Sequence, residues 1–177
     1  FTSKGSNITE KKRPKETPIK YVRRLALEKS KAIIENSNIK NVVVLSADTI
    51  VVHKNKILEK PKTKKHAMKM LEQLSGKTHF VLTSWCWALN QNGKIYFHIK
   101  TCKTSVTFSK KNSKFWNWYS NTKEPMDKAG AYAAQGIGMS FIKQVRGSYS
   151  NVIGLPICQV LEHYKKITTK DLIEEFK

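Results

Sequence analysis

The chain has 177 residues, of which 40% are hydrophobic and 26% are charged; this composition suits one folded domain and excludes a wholly disordered chain. No apolar run approaches the length of a membrane span, and the first ten residues lack the apolar segment of a signal peptide. Lysine and arginine number 33 against 13 aspartates and glutamates, so the formal net charge of +20 would attract polyanions.

The first predicted element is a helix over residues 18–36. Thr17 is a favoured N-cap residue, and Pro18 is favoured at the first helical position. Apolar residues then recur at helical spacing, namely Val22, Leu25, Ala26, Ala32 and Ile33. Lys29 lies on the same stripe. It either extends past the edge of the core into solvent or points into a pocket, and the pattern leaves both readings open.

The next apolar segment predicts a buried strand that ends at a carboxylate. Residues 42–47 (VVVLSA) form a continuous apolar run, Asp48 and Thr49 end it, and residues 50–52 begin another strand that returns through 56–58. Ligands of open α/β sheets bind beyond the carboxyl ends of central strands, so Asp48 is well placed for chemistry. The alternative is an aspartate that caps a turn. The chain has only three aspartates, which favours the functional interpretation.

The remaining pattern predicts a mixed α/β fold with long antiparallel strands and flanking helices. The predicted elements are helix 63–75, strands 78–89 and 94–108 joined by a turn at Asn92 and Gly93, helix 113–121, strand 139–145, helix 156–165 and a last helix capped by Thr168 and Asp171. Neither the glycine motif of a Rossmann fold nor a Walker A motif is present.

Aromatic residues in two of these elements are expected to pack. Trp85 and Trp87 share one face of a predicted strand, where core or interface packing is the expected role. In helix 113–121, Phe115, Trp118 and Tyr119 have core spacing.

The residue types that remain suit phosphate chemistry. The sequence contains no serine elbow and no paired histidine motif. It does contain a carboxylate at the end of a predicted strand, several lysines, and a segment at 124–138 dense in glycine and alanine, which either approaches a ligand closely or is an irregular loop. In splitting a phosphoanhydride, lysines hold phosphates, carboxylates hold a magnesium or manganese ion, and one carboxylate accepts the proton of the attacking water.

Six segments together closely resemble the Maf family of nucleoside triphosphate pyrophosphatases. They are LALEKSKAI (25–33), SADTIVV (46–52), EKP (59–61), LSGKTH (74–79), EPMDKAGAYAAQGIG (124–138) and YSNVIGLPI (149–157). The resemblance implies a single Maf-like domain over residues 1–177, a fold similar to the inosine triphosphate pyrophosphatases and a cleft between two lobes. It also implies metal-dependent hydrolysis between the α and β phosphates. Within the family, the presence of Gln135 makes the chain resemble the branch that hydrolyses dTTP and UTP.

The same resemblance implies roles for eight residues. Asp48 would be the proton acceptor or a metal-directed carboxylate, and Glu10 would be a second acidic residue at the metal. The other six would contact or surround the nucleotide: Lys29, which matches the lysine of the family's LA-x-x-K block, Lys60 at the phosphates, Thr49 and Gln135 at the pyrimidine, and Asp127 and Lys128 as shapers of the cleft.

The chain departs from the family pattern at its start. Family members begin with a strand and a Ser-x-Ser-Pro-Arg-Arg loop whose arginine grips the phosphates, and this sequence contains no such motif. The expectation is either a fragment or a degenerate member, and a catalytically weak or inactive nucleotide-binding, regulatory protein is the alternative function.

Expectations about partners and location come from the resemblance and from composition. The resemblance implies a nucleoside triphosphate as partner, and the sequence leaves the oligomeric state open and allows a homodimer. The lysines are scattered, which favours a general lysine bias over a nucleic-acid interface, and no membrane partner is expected. Three cysteines without CxxC spacing fit a reducing, cytoplasmic location.

Overall fold

The structure is a computed structural model that describes residues 2–37 and 41–174. The helices are α1 (Pro18–Ile34), α2 (Lys64–Leu74), α3 (Ser113–Ser120), α4 (Tyr149–Ile153) and α5 (Ile157–Thr168). The strands are β1 (Val43–His53), β2 (Lys56–Leu58), β3 (Thr78–Gln91), β4 (Lys94–Phe108) and β5 (Ile142–Arg146). Short 3₁₀ helices cover Ala129–Ala131 and Gly136–Phe141.

The five strands form one sheet in the order β2-β1-β3-β4-β5. The pairs β1–β2 and β4–β5 are antiparallel, with Val51 opposite Leu58 and Val106 opposite Val145. The turn between β3 and β4 has positive φ at both Asn92 and Gly93, as a two-residue hairpin requires. The predicted mixed α/β fold with long antiparallel strands and flanking helices is confirmed.

The chain divides into two compact units. The first unit contains Phe1–Asp48, Thr83–Thr101 and Leu155–Lys177, and the second contains Thr49–Leu82 and Cys102–Gly154. Strands β1, β3 and β4 contribute residues to both. The single domain over residues 1–177 stays a prediction.

The first unit buries one face of α1 together with two tryptophans. Thr17 caps α1 as predicted, and the buried face of the helix includes Tyr21, Val22, Leu25, Ala26 and Ile34. Trp85 Nε1 donates to His163 Nδ1 at 3.0 Å and Trp87 Nε1 donates to Val160 O at 3.1 Å. Both indoles are therefore satisfied within a core, which confirms core packing for the pair.

The core of the second unit packs α2 and α3 against strand residues. α2 contributes Ala67, Met70, Leu71 and Leu74, all buried. In α3 the buried aromatics are Trp116 and Tyr119, whereas Trp118 is 53% exposed, so its predicted core position is wrong. Trp116 and Tyr119 are three residues apart and share a helix face, while Trp118 points about 200° away from Trp116.

Several predicted element boundaries change in the structure. The predicted strand 139–145 begins only at Ile142, because residues up to Phe141 belong to a 3₁₀ helix. The predicted break between two strands at Asp48 and Thr49 is wrong, because β1 runs through both residues. Thr168 does not cap a new helix but ends α5, where Thr169 adopts a left-handed φ of 62°. Asp171 has a structural role, since its side chain accepts from Ile173 N at 3.1 Å. Residues 175–177 of the predicted last helix lie outside the described residues.

None of the described helices is long and apolar enough to cross a membrane.

His79 predicts a specific response of stability to acid. The side chain is fully buried on β3, where Nε2 lies 2.9 Å from the Tyr132 hydroxyl, and burial lowers the pKa of His79 from 6.5 to about 3. The folded state therefore keeps His79 neutral, while the unfolded state takes up a proton below pH 6.5. The free energy of unfolding should fall between pH 6.5 and 3, by up to about 1.4 kcal/mol per pH unit from this group.

Urea unfolding at pH 7, 6 and 5 checks this expectation in the wild type and in His79→Gln, which keeps polar atoms near Tyr132. The variant should show a shallower pH slope. The pKa values of His53 and His163 are also lowered by burial, so some slope should persist. An identical slope in both proteins would contradict the assignment to His79.

Candidate active site

Asp48 is the sixth residue of β1 and does not mark a strand end. Its side chain is 10% exposed, and Oδ1 accepts from Lys29 Nζ at 2.6 Å. Because this ammonium satisfies the carboxylate, the strand continues through a charged residue without leaving it unpaired. The sequence identified the residue, but its predicted position at the carboxyl end of a strand is wrong.

Lys29 forms the centre of a three-residue charge cluster in the first unit. It projects from α1 with a side chain that is 20% exposed, and Nζ lies 2.7 Å from Glu10 Oε1 as well as 2.6 Å from Asp48 Oδ1. Burial by itself lowers the pKa of Lys29, but the bonds to Asp48 and Glu10 outweigh burial and raise the pKa above its usual value. The lysine therefore stays charged at neutral pH, and of its two sequence readings the inward-pointing one agrees with the structure.

Glu10 reaches Lys29 because the segment before α1 is tied to that helix. The Tyr21 hydroxyl donates to Glu10 O at 3.0 Å, and Arg24 Nη2 donates to Lys11 O at 2.9 Å. Arg24 also binds both oxygens of Glu16, at 2.7 and 2.9 Å. This hydrogen bonding from Arg24 lowers the pKa of Glu16 to about 2. An extended segment that contributes no helix or strand thus presents Glu10 in a defined place.

Sequence reasoning missed Tyr21, Arg24 and Glu16 as supports of this cluster. The sequence offered one local signal in this region, the i,i+4 spacing of Arg24 and Glu28 on the helix. In the structure Arg24 Nη1 and Glu28 Oε2 form an ion pair at 2.9 Å. The contact between Arg24 and Glu16 depends on how the segment before the helix folds back, which no local pattern reports.

The carboxylates of Asp48 and Glu10 fit a hard divalent cation. One oxygen of each carboxylate lies within hydrogen-bond distance of Lys29 Nζ. The distance between these two oxygens therefore cannot exceed the sum of their distances to that nitrogen. Carboxylate oxygens are the ligand type that magnesium and manganese prefer. The described residues hold no group of three or more His, Cys, Asp and Glu suited to a metal ion, so further ligands would come from phosphate oxygens and water.

The second unit contains a cavity of about 380 Å³ that three of the predicted residues line. These are Asp127, Lys128 and Gln135; the other lining residues are Lys123, Glu124, Tyr132, Ala133, Ala134, Val152 and Ile153. Asp127 Oδ2 and Lys128 Nζ form an ion pair at 2.5 Å, and the hydrogen bond from Lys128 is the main reason why the pKa of Asp127 is lowered. The wall of the cavity therefore combines charged groups, a neutral amide and apolar side chains.

Two predicted residues of the second unit are not part of that lining. Thr49 lies on β1, and its hydroxyl donates to Gly154 O at 2.8 Å, next to Ile153 in the cavity wall. Lys60 is exposed, and its charge adds to the lowering of the Asp127 pKa. The structure thus brings Asp127, Lys128 and Gln135 together at one cavity and joins Thr49 to Gly154, the residue after Ile153 of the lining.

Known proteins resemble the chain over nearly its whole length. The profile of the family described as "Maf-like protein" matches residues 1–167. A dTTP/UTP pyrophosphatase of Escherichia coli (strain K12) is 41% identical over 159 residues, which cover 89% of this chain and 77% of that protein. A dTTP/UTP pyrophosphatase of Syntrophus aciditrophicus (strain SB) is 39% identical over 160 residues, covering 90% of this chain and 76% of that protein.

These matches include the segments that carry Lys29, Asp48 and Gln135, and they confirm the resemblance seen in the six sequence motifs. The chain therefore belongs to the Maf family.

Proposed function

We propose that this chain is a nucleoside triphosphate pyrophosphatase that hydrolyses dTTP and UTP to the nucleoside monophosphate and pyrophosphate, with a magnesium or manganese ion. The observation that carries the proposal is the cluster in which Lys29 holds the carboxylates of Asp48 and Glu10. The names of the relatives from Escherichia coli and Syntrophus aciditrophicus support the choice of substrates.

In the proposed reaction, a water oxygen attacks the α-phosphorus and the bond from that phosphorus to the bridging oxygen breaks. Pyrophosphate leaves with the electron pair of that bond, and the proton of the water passes to Asp48. A partly buried carboxylate in hydrogen-bond contact with a charged lysine suits this task, because it is held in one orientation toward its proton donor. The positive charge of Lys29 offsets the repulsion between the carboxylates of Asp48 and Glu10, so both are in place before the negatively charged triphosphate binds.

Asp48 and Glu10 would hold the cation. When bound, it would neutralise charge on the triphosphate and polarise the phosphorus toward attack. Lys60 would add a further positive charge for phosphate oxygens from its exposed position.

The cavity of the second unit is proposed to accept the base. Its volume of about 380 Å³ falls in the range of small-molecule sites. The amide of Gln135 offers both a donor and an acceptor, which suits the neighbouring N–H and carbonyl groups of thymine and uracil. Thr49 would act through Gly154, by fixing the backbone beside Ile153, and Asp127 and Lys128 would shape the rim.

The test of this function is pyrophosphate release from dTTP, UTP, ATP and GTP, each with magnesium, with manganese and with excess EDTA. We expect release from dTTP and UTP to exceed release from the purine nucleotides by about tenfold or more, and EDTA to abolish it. No turnover of any nucleotide under any condition would refute the proposal for this chain.

Calorimetric titration with the same nucleotides separates the alternative function. Binding of dTTP or UTP without turnover would favour a catalytically inactive, nucleotide-binding and regulatory protein. Turnover that is indifferent to EDTA would leave the hydrolysis in place and refute the role of the cation.

A further inference from the structure

A partly buried hydrogen-bond network around Glu124 is unaccounted for by the proposed function. Glu124 Oε1 accepts from Ile137 N at 2.6 Å, and Oε2 accepts from Gly138 N at 3.0 Å and from the Tyr119 hydroxyl at 3.0 Å. One carboxylate therefore receives a hydrogen bond from a tyrosine earlier in the chain and two from backbone N–H groups 13 and 14 residues later. We refer to Glu124, Tyr119, Ile137 and Gly138 as the Glu124 clamp.

The clamp holds the backbone directly after Gln135. Gly136 has a φ of +88°, a conformation that favours glycine, and the position where a Cβ would stand lies within contact distance of Glu124 Oε1, so the carboxylate packs closely against the backbone there. A Cβ on Gly138 would in turn meet Ala133 O and the Tyr119 hydroxyl. The close approach fixes the path of residues 136–138 and leaves Gln135 little freedom at its anchored end.

The clamp also holds the backbone at a second point of the same cavity wall. The Tyr119 hydroxyl donates to Glu124 and accepts from Ala133 N at 3.2 Å. Burial holds the pKa of Tyr119 above its usual value, so the hydroxyl keeps the proton that it donates. Ala133 and Gln135 both line the cavity, and Glu124 is thus linked to the backbone on either side of Ala134.

We propose that Glu124 is a positioning residue for base selection: its carboxylate fixes residues 133–138 so that the Gln135 amide faces the cavity in one orientation. The proposal rests on the proposed function, because it assumes that Gln135 reads the base. Glu124 needs no contact with the substrate for this role. Its carboxylate already accepts hydrogen bonds from three donors of the protein itself.

The first test replaces the charge while keeping the shape. In Glu124→Gln an NH₂ group replaces one carboxylate oxygen. This group cannot accept a hydrogen bond from a backbone N–H, so the Glu124 clamp loses at least one hydrogen bond. We expect the ratio of kcat/KM for UTP over ATP to fall about tenfold, and Tyr119→Phe to lower it about threefold. Glu72→Gln on the exposed face of α2 is the matched control and should leave the ratio unchanged.

A double variant separates positioning from direct contact. If Glu124 acts through Gln135, adding Glu124→Gln to Gln135→Ala should not change the ratio further. An equal fall of the ratio in both backgrounds would overturn the proposal, as would an unchanged ratio in Glu124→Gln. Should Glu124→Gln fail to fold, the same comparison is made with Tyr119→Phe.

Amide hydrogen exchange tests the clamp independently of turnover. Exchange at Ile137 and Gly138 should be faster in Glu124→Gln than in the wild type, and unchanged exchange would overturn the clamp even if the enzyme is active. If the wild type binds nucleotides without hydrolysing them, the hydrolysis fails and the ratio of UTP to ATP affinity replaces the kinetic ratio. The clamp is then upheld by faster exchange together with a lower affinity ratio.

Discussion

Asp48→Asn should abolish turnover of dTTP and UTP while leaving the melting temperature nearly unchanged. The amide cannot accept the proton of the attacking water, and a loss of about 1,000-fold or more in kcat is expected for removal of such a group. Stability should change little because the variant is isosteric and Lys29 keeps Glu10 as its partner at 2.7 Å. Pyrophosphate release and a thermal melt of the same preparation measure both effects.

The control for Asp48 is Asp171→Asn. Asp171 accepts from Lys165 at 3.1 Å and from Ile173 N at 3.1 Å, and neither contact involves a residue of the proposed chemistry. Its variant should retain full turnover. A large drop in melting temperature for Asp48→Asn, with activity partly kept, would instead assign Asp48 a structural role within β1.

Lys29→Met should impair both stability and turnover, and by more than loss of either carboxylate partner. The substitution removes the ammonium that contacts both Asp48 and Glu10, and leaves two negative groups close together with the Asp48 side chain only 10% exposed. We expect about 2 kcal/mol of lost unfolding free energy at pH 7 and about a 100-fold loss of turnover. Glu10→Gln should cost less than 1 kcal/mol or so, because the Glu10 side chain is 52% exposed.

Chemical denaturation of the three variants Lys29→Met, Asp48→Asn and Glu10→Gln at pH 7 ranks their stabilities. Lys29→Arg is the matched control, since it keeps the charge and should recover most of the stability. If Glu10→Gln or Asp48→Asn were less stable than Lys29→Met, Lys29 would not be the centre of the cluster.

Helices α1, α2, α3 and α5 and the long hairpin could be predicted from the sequence because their signals are local, whereas the short helix α4 was not predicted. Thr17 and Pro18 mark the start of α1, and Asn92 and Gly93 mark the hairpin turn, in the structure as in the pattern. Local signals failed where two arrangements satisfy the same spacing. In α3, Phe115, Trp116, Trp118 and Tyr119 are so dense that the pattern does not select the face, and packing against the second unit's core buries Trp116.

β1 shows the same limit for the site. Asp48 and Thr49 are polar residues inside an apolar segment, which predicts a strand end. The strand continues because each side chain finds a partner distant in sequence, Lys29 Nζ for Asp48 and Gly154 O for Thr49. The role of Asp48 as the functional aspartate stays a prediction, and its place inside the strand was not predictable from the sequence.

The sequence alone determined the fold class and the family, because motif order and residue type are written along the chain, and it singled out Lys29, Asp48 and Gln135 as site residues, which stays a prediction. Only the tertiary structure decided that Lys29 holds two carboxylates and that Glu124 holds the backbone after Gln135. The physical reason is that a hydrogen bond between distant residues depends on distance and direction, and both are set by how the elements pack rather than by any periodicity in the sequence.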